Sequence, residues 1–340
     1  MLIGLVIILL LILTLPFLVK KVENNMELFL LVMGLLATIC SGVINNSLIV
    51  GILKNHLLYM ITAAVLFSGI LFKILQGRIK RVLDIVLRFI PLKVFIFLMV
   101  IALGLMSSMI TAIVAALVLV EIISNLPMRR SDKIRTVVVA CFAIGLGAVL
   151  TPIGEPLSTI VVSRLEQDFW YLAEEMGMLI IPGIVAMGLL GGIMIRRGTP
   201  EIDDDVHHQE TESYSEILLR SAKVFVFILA LEFLGAGFKP VIDKYLIHLD
   251  SKVLYPINML SAVLDNATLA AAEISHKMNS TQIGAILMGL LISGGMLIPG
   301  NIPNIISANK LKISSQEWAW HGMPLGLVMI AIYYLVLFVI

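Results

Sequence analysis

Long apolar runs alternate with short polar breaks along almost the whole chain. The first three apolar runs cover residues 2–19, 26–44 and 56–76. Because a helix needs about 20 apolar residues to cross a bilayer, each run predicts a membrane-spanning helix. The next segment, 77–91, places basic residues among Val, Leu and Ile at helical spacing. This pattern predicts an amphipathic helix that lies in the membrane interface.

A longer apolar stretch at 92–126 carries the polar sequence SSMIT near its middle and basic residues at both ends. Its length of about 35 residues is too great for one crossing helix and too small for two. We therefore predict a re-entrant hairpin whose tip lies near 107–111. A broken span at 136–165, an acidic loop at 166–175 and a span at 177–195 complete the first half.

The polar stretch 196–217 separates this half from a second half with the same order of elements. The second half has a span at 220–237, an amphipathic segment at 237–249, a hairpin at 253–276 with its tip at LDNAT, a broken span at 281–309 and a last span at 318–340. Counted from residue 56, each half holds three crossings and one hairpin. Because three is an odd number, the second half is inverted relative to the first.

The prediction is thus an all-helical polytopic membrane protein with two inverted repeats, each containing a re-entrant hairpin and a proline-broken transmembrane helix. Its domains are N-terminal transmembrane helices at 1–55, a first repeat at 56–197, a polar cytoplasmic linker at 198–217 and a second repeat at 218–340. Composition agrees, since 59% of the residues are hydrophobic and only 14% are charged. The net charge of +1 gives no indication of nucleic-acid binding.

Each half contains the same unusual interruption, a pair of prolines four residues apart within an apolar span. The pairs are Pro152 with Pro156 and Pro299 with Pro303, and glycines precede both. Hydrocarbon offers no water to unpaired backbone groups, so such breaks survive at membrane depth only where they line a cavity or a site. Paired interruptions in matching positions of two halves indicate the substrate site of a secondary transporter.

The distribution of basic residues predicts the orientation. With the Arg-rich base of the first hairpin in the cytoplasm, the basic residues outside are Lys54, Arg164, Lys239, Lys244, Lys252 and Lys277. The other 18 of the 24 Lys and Arg residues then lie at or near the inner face, as the positive-inside rule requires. We therefore predict a multi-pass protein of the cell (inner) membrane with eight spans and both termini outside. Cys40 and Cys141 lie in apolar segments, where we expect small buried side chains and no disulfide.

Five carboxylates fall within the predicted membrane segments, and no Lys or Arg is predicted at the same depth. They are Glu121, Glu155, Glu232, Asp265 and Glu273. An ionised group at mid-bilayer costs at least about 2.5 kcal/mol, so each needs a partner, a proton or a water-filled cavity. The shortage of basic partners favours a cation or a proton as the compensating charge. Glu121 and Glu273, near the hairpin bases, are expected to reach the interface.

The second hairpin tip brings Asp265 together with Asn266 and Thr268. Such a set supplies the hard oxygen ligands that small cations prefer, although Asp265 alone could serve as a helix cap. Glu155 lies in TPIGEP between two prolines, where unwound backbone leaves carbonyls free, unless the span ends at Leu150 and Glu155 is a solvated loop residue. The predicted neutral ligands are Thr151, Asn301 and Asn304 at the breaks, and Ser107, Ser108 and Thr111 at the first tip.

Other polar residues have weaker indications. Glu232, in FILALEFLGAG, is either a proton relay or a scaffold residue paired with a hydroxyl or amide. Asn45 and Asn46 follow an apolar run, where capping of a helix end is the expected role and substrate binding is the alternative. The doublet His207–His208 lies among three aspartates, where a solvated linker is the simpler interpretation and weak metal binding or pH sensing is the alternative.

Three segments of the second half carry a resemblance to a known family. They are SAVLDNATLAAAEI, the break GNIPNIISANKL and the closing ISSQEWAWHGMPLGLVMIAIYYLVLF. They resemble the C-terminal part of the ion transporter superfamily, which includes the arsenite efflux pumps and the NhaD-type sodium/proton antiporters. The chain's length is most similar to a short group of cation transporters within it. The likeness covers 255–340 well and 100–197 less well, because the first tip, SSMITA, lacks the usual Asn or Asp.

The resemblance implies an inverted-repeat fold with two hairpins that meet near the midplane, assembly as a homodimer, and alternating access. Together with the residues, it predicts a secondary transporter, most simply a sodium/proton antiporter, in which Asp265 and Glu155 bind sodium. A carboxylate binds a cation or a proton but not both well, and this competition couples the two fluxes. The expected partners are the lipid bilayer and small inorganic ions, with no nucleic acid and no cofactor beyond the transported ions.

Two other classes of protein are alternatives. A sodium-coupled transporter of a dicarboxylate, arsenite or another oxyanion could hold its anion at helix N-termini without any Arg. An intramembrane protease would need paired aspartates, a Ser/His pair or a zinc site. Asp265 is the one predicted intramembrane Asp, and neither HExxH nor GxSG occurs in the sequence. We therefore do not expect an enzyme.

Overall fold

The computed structural model describes residues 1–195, 213–241, 244–245, 250–259, 266–274 and 278–339, and these residues form helices and connecting segments with no strand among them. In chain order the α-helices are α1 (Leu2–Leu18), α2 (Lys20–Glu23), α3 (Met26–Ser41), α4 (Asn46–Leu53), α5 (His56–Phe89), α6 (Leu92–Ile110), α7 (Ala112–Asn125), α8 (Arg130–Ala148), α9 (Pro156–Arg164), α10 (Tyr171–Met194), α11 (Tyr214–Val241), α12 (Ser251–Ile257), α13 (Asn266–Glu273), α14 (Ser280–Met296), α15 (Ile302–Leu311) and α16 (Ser315–Phe338). A short 3-10 helix, Ile298–Gly300, lies between α14 and α15.

Several predicted boundaries are wrong in detail. The predicted span 56–76 and interface helix 77–91 are one continuous helix, α5, because no proline interrupts the sequence before Pro91. Helix α10 begins at Tyr171, inside the predicted acidic loop. Helix α11 starts within the predicted linker and runs past the predicted boundary at residue 237 to Val241.

Both predicted breaks are confirmed as interruptions of the helical backbone. Helix α8 ends at Ala148 and α9 begins at Pro156, so residues 149–155 form the first break. Proline is well suited to the first helical position because its missing N–H needs no partner there. In the second half, residues 297–301 between α14 and α15 form the second break. The proline pairs thus end one helix and start the next.

The chain also breaks at Thr111, within the range predicted for the first tip. Helix α7 then runs back along α8. At its start, the Ala112 amide donates to the Gly154 carbonyl at 2.9 Å, and near its end Lys133 Nζ donates to the Ser124 carbonyl at 3.4 Å. Helix α6 runs parallel to α8, because Gly104 lies against Ala143 and Ser108 is bonded by Thr151 just after α8. Helices α6 and α7 therefore form a hairpin of antiparallel helices. Its re-entry into a membrane stays a prediction.

Three helices in the described ranges are long and apolar enough to cross a membrane, namely α6, α10 and α16. The shorter apolar helices are Leu2–Pro16, α3, α7 and α14. Helices α10 and α16 coincide with predicted spans. Helix α6, however, is the first arm of the predicted hairpin, and its 19 residues extend over about 28 Å. It is thus longer than an arm that stops at mid-bilayer needs to be.

The two interrupted helices form the centre of the fold. Most residues of α8 and α14 are buried. Around them the elements pack crosswise between the halves, because α7 contacts α15 and α13 contacts α9. The hairpin arm of each half thereby lies against the outgoing helix of the other half's break.

Candidate ion site

A small cavity lies where four helices begin. Its lining consists of Ala112 and Ile113 of α7, residues 154–157 at the start of α9, Leu231 of α11, Asn266 of α13, and residues 299–302 at the start of α15. The volume available to the centre of a water-sized sphere is about 40 Å³. One water molecule needs at least about 10–15 Å³ by this measure, so the cavity accommodates a small ion with a few waters.

The helix starts give the cavity its electrostatic character. The first turn of an α-helix leaves backbone N–H groups without intrahelical partners, and the helix dipole adds roughly half a positive charge there. Helices α7, α9, α13 and α15 all contribute first-turn residues to the lining. Among the described residues of the lining, Glu155 is the one that carries a charge, and none is a Lys or Arg.

Glu155 lies at the end of the first break, immediately before α9. The residue is only 8% exposed. Its carbonyl accepts a hydrogen bond from Ser158 Oγ at 2.8 Å, which fixes the backbone at the start of α9. The predicted alternative of a solvated loop residue is wrong, because Glu155 is buried among elements of both halves.

Asn266 faces the cavity from the start of α13 and is 5% exposed. In the described part of the chain, neither its side-chain nitrogen nor its side-chain oxygen has a hydrogen-bond partner. The amide lies against Gly294, where an added Cβ would come within 2.6 Å of Asn266 Nδ2. A buried amide is costly unless it is hydrogen-bonded, so this side chain has both a donor and an acceptor for a ligand in the cavity.

The two asparagines of the second break have different surroundings. Asn301 lines the cavity and lies close to Gly145 of α8, where an added Cβ would come within 2.9 Å of its Nδ2. Asn304 is fully buried, and its Nδ2 donates to the carbonyls of Gly294 at 2.8 Å and Leu297 at 2.9 Å. Asn304 therefore holds the second break closed and is not part of the cavity lining.

The predicted hydroxyl ligands bind backbone groups at the first tip and break. Ser107 Oγ donates to the carbonyls of Gly104 and Ile144, and Ser108 Oγ donates to the Leu105 carbonyl. Thr151 Oγ1 donates to the Ser108 carbonyl at 2.5 Å, and Thr111 Oγ1 accepts from the Val114 amide. The bonds of Ser107 and Thr151 join α6 to α8 and the first break, and the bond of Thr111 caps the start of α7. The structure does not bring these four side chains to the cavity lining.

Some predicted ligands lie beyond what the structure describes. Asp265, the main predicted ion ligand, lies outside the described residues, and so does the doublet His207–His208. Thr268 belongs to α13, but its side chain is not described. Their assignments stay predictions.

Glu232 lies apart from the cavity. Its neighbour Leu231 lines the cavity, whereas Glu232 accepts a hydrogen bond from Asn55 Nδ2 at 2.5 Å and borders an open groove beside α4. The amide pairing agrees with the scaffold interpretation. In the same groove, Asn45 accepts a hydrogen bond from the Leu48 amide at 2.7 Å and so caps α4, as the sequence predicted. Asn46 is the first residue of α4 and is not a cap.

Two expectations about the hairpin bases are wrong. Glu121 is 8% exposed and Glu273 is 1% exposed, so neither side chain reaches the surface. Glu121 accepts a hydrogen bond from Asn125 Nδ2, and Glu273 accepts one from Asn258 Nδ2. Packing of both hairpin arms against neighbouring helices covers these groups. Asn258 was missed, although a lone amide inside the apolar sequence VLYPINML is a sequence indication of a buried polar contact.

The fold and the site define the class of the protein. It is an all-helical membrane protein in which two interrupted helices meet at a small cavity that contains a carboxylate and two side-chain amides. A family model described as "Protein of unknown function (DUF1646)" matches residues 2–340, so the chain belongs to the DUF1646 family. No curated protein matches the chain.

Proposed function

We propose that the protein is a secondary active transporter of small ions in the cell (inner) membrane, and that it exchanges sodium for protons by alternating access. The observation that carries this proposal is the cavity at which both interrupted helices and Asn266 converge, with Glu155 as the one charged residue among its described lining residues. Interrupted helices of two halves that meet at one site are typical of secondary transporters.

The chemistry of the lining favours a cation. Glu155 supplies a carboxylate, and Asn266 and Asn301 supply amide oxygens, which are ligands of the kind that hard cations prefer. No Lys or Arg is found among the described lining residues, and a buried carboxylate such as Glu155 binds sodium or a proton. Because one carboxylate binds sodium and a proton competitively, the same site accounts for exchange. The small volume also suits an inorganic ion better than a dicarboxylate.

One observation favours a second candidate, a sodium-coupled transporter of an inorganic anion. Four helix N-termini converge on the cavity, and the positive ends of their dipoles attract negative charge. The unpartnered Nδ2 of Asn266 would add a donor. An ionised Glu155 opposes this candidate, because it would repel an anion at the same place.

Proton flux in proteoliposomes tests the antiporter. A sodium gradient applied across vesicles with an internal pH dye, in gluconate medium without any other anion, should drive proton movement by the wild type. Glu155→Gln should abolish most of this flux because it removes the titratable charge. Glu174→Gln is the matched control, since Glu174 is an exposed carboxylate in the first turn of α10, and it should leave the flux unchanged. The sequence also predicts that Asp265→Asn abolishes coupled transport in a folded protein.

Ligand-dependent stability separates the two candidates. An ion that binds the folded state preferentially raises its apparent stability by mass action. Stabilisation of the purified protein by sodium or lithium, lost in Glu155→Gln, would support the antiporter. Stabilisation by phosphate, sulfate or succinate that persists in Glu155→Gln would favour the anion transporter. Absence of sodium-driven proton flux in the wild type would contradict the antiporter directly.

A further inference from the structure

A second buried polar cluster lies between α12, α13 and α14. Glu273 and Asn258 are each 1% exposed. Asn258 Nδ2 donates to Glu273 Oε2 at 3.0 Å, and the Asn258 carbonyl accepts a hydrogen bond from Ser293 Oγ at 2.7 Å. The cluster therefore holds an acid and an amide in a fixed arrangement away from solvent.

The remaining oxygen of each group has no hydrogen-bond partner among the described residues. These oxygens are Glu273 Oε1 and Asn258 Oδ1, and both are fully buried. An ionised carboxylate and an amide oxygen are both acceptors, so neither can satisfy the other. A proton on Glu273 Oε1 changes this, because a neutral carboxylic acid is a donor. The proton then completes a two-hydrogen-bond ring between acid and amide.

The surroundings also favour the neutral acid. Within the described residues, no Lys or Arg forms an ion pair with Glu273, and α14 contains no charged residue. Besides α14, the elements packed against α12 or α13 are α9, α11 and α16. Their titratable or charged residues, together with those of α12 and those next to α9 and α13 in the sequence, are Glu155, Arg164, Tyr214, Glu216, Arg220, Lys223, Glu232, Lys239, Lys252, Tyr255, His276, Lys277, Glu317, His321, Tyr333 and Tyr334. A buried carboxylate with one neutral hydrogen bond is costly when ionised, and a proton removes that cost.

The acid–amide pair is connected to the cavity by α13 and α14. Asn266 and Glu273 are seven residues apart on α13, which puts them on one face about 10 Å apart. Along α14, Gly294 contacts Asn266 and the adjacent Ser293 bonds to Asn258. A cation in the cavity would therefore be close enough to favour loss of the proton from Glu273 through a medium of low dielectric constant.

We propose that Glu273 and Asn258 form a proton-binding site in which Glu273 Oε1 carries a proton shared with Asn258 Oδ1, and that this proton is released when a cation occupies the cavity. The release step rests on the proposed function. The carboxylic acid becomes a carboxylate, and the proton leaves to the aqueous phase that the transporter faces. No other bond changes.

Infrared absorption of the purified full-length protein tests the site. A neutral carboxylic acid has a carbonyl stretching band that a carboxylate lacks. We expect this band near neutral pH in the wild type, its loss in Glu273→Gln, and its persistence in Glu174→Gln. Glu273→Gln keeps an amide that can pair with Asn258, so folding should be preserved. Asn258→Ala should shift the band in frequency without abolishing it, because the acid loses its hydrogen-bond acceptor.

Titration with sodium chloride, with choline chloride as control, tests the release. The proposal is supported if sodium chloride removes the carboxylic-acid band and choline chloride does not. No band in the wild type, or the same band in Glu273→Gln, would overturn the site. A Glu273 band that sodium does not change would overturn the release step. Sodium-driven proton flux is measured separately with the Glu155→Gln variant, so failure of the antiporter and failure of this site give different results.

Discussion

At Thr111, where α6 ends and α7 begins, the backbone has φ 74° and ψ 149°. A β-branched residue rarely adopts a positive φ, and this region is populated almost entirely by glycine. Thr111 also caps α7 by accepting a hydrogen bond from the Val114 amide at 3.3 Å. Strain of this kind costs about 1–3 kcal/mol and persists where the surrounding structure determines the conformation. Here the hydrogen bond from Ala112 to Gly154 ties the tip to the first break.

Two substitutions of Thr111 distinguish the effect of backbone strain on stability from the effect of the helix cap. Thr111→Gly should leave the protein at least as stable as the wild type, because relief of about 1–3 kcal/mol of strain outweighs a cap loss of a few tenths. Thr111→Val keeps the strain and removes the cap, so it should destabilise the protein by about 1 kcal/mol. Thermal unfolding in detergent measures both. A lower melting temperature for Thr111→Gly than for Thr111→Val would contradict this interpretation.

At the scale of elements, close helix packing depends on glycine. Helices α6 and α8 approach so closely that a Cβ on Gly147 would overlap the Gly104 carbonyl oxygen. Small residues that allow helix backbones to approach are a common device of membrane proteins, where water does not drive helices together. The contact also brings Ser107 within hydrogen-bond distance of the Ile144 carbonyl. The close contact between α6 and α8 therefore places the first break, residues 149–155, beside the hairpin tip at Thr111.

Gly147→Ala should separate α6 from α8 and destabilise the protein by about 1–3 kcal/mol, as expected for an overpacked core. Gly51→Ala is the matched control. Gly51 is also helical, in α4, but nothing lies within 4 Å of an added Cβ. Alanine is better than glycine in a helix by about 0.5–1 kcal/mol, so this variant should be unchanged or more stable. If both variants lowered the melting temperature by the same amount relative to the wild type, the close approach of α6 and α8 would have no special role in stability.

At the scale of the whole molecule, contacts between distant segments bear on orientation. Arg130 at the start of α8 forms an ion pair with Glu317 at the start of α16 and donates to the Lys312 carbonyl. These three residues therefore lie at one end of the molecule. Helices α3 and α11 run parallel, since Glu27 pairs with Lys223 near their starts and Gly237 contacts Ala37 near their ends. Both observations agree with the directions that the inverted topology predicts for these segments.

Single-cysteine labelling tests this topology. In a variant with Cys40→Ala and Cys141→Ala, we expect Ser131→Cys, near the Arg-rich start of α8, to react only from the cytoplasm. Ser251→Cys, at the start of α12, should react only from outside. The odd number of crossings in each half and the positive-inside distribution of Lys and Arg are the physical reasons. Reaction of both cysteines from the same side would contradict the inverted halves.

The sequence by itself determined the features that depend on local chemistry. Proline cannot donate a backbone hydrogen bond within a helix, so both breaks were predicted at Pro152–Pro156 and Pro299–Pro303 and are confirmed. The side-chain cap at Asn45 followed from the same local reasoning. The apolar runs predicted most helices, but not that α5 is continuous from His56 to Phe89, because polarity alone does not end a helix.

Only the tertiary structure decided which polar side chains share a space. It brought Glu155, Asn266 and Asn301 to one cavity, whereas the Asn304 side chain points away from the cavity and bonds to backbone carbonyls at the second break. The PGNIPN sequence alone does not distinguish Asn301 from Asn304. It also buried Glu273 against Asn258, where helical position alone predicted an interfacial carboxylate. Burial depends on which helices pack against a residue from elsewhere in the chain. The crosswise contacts of α7 with α15 and of α13 with α9 join the two halves in this way.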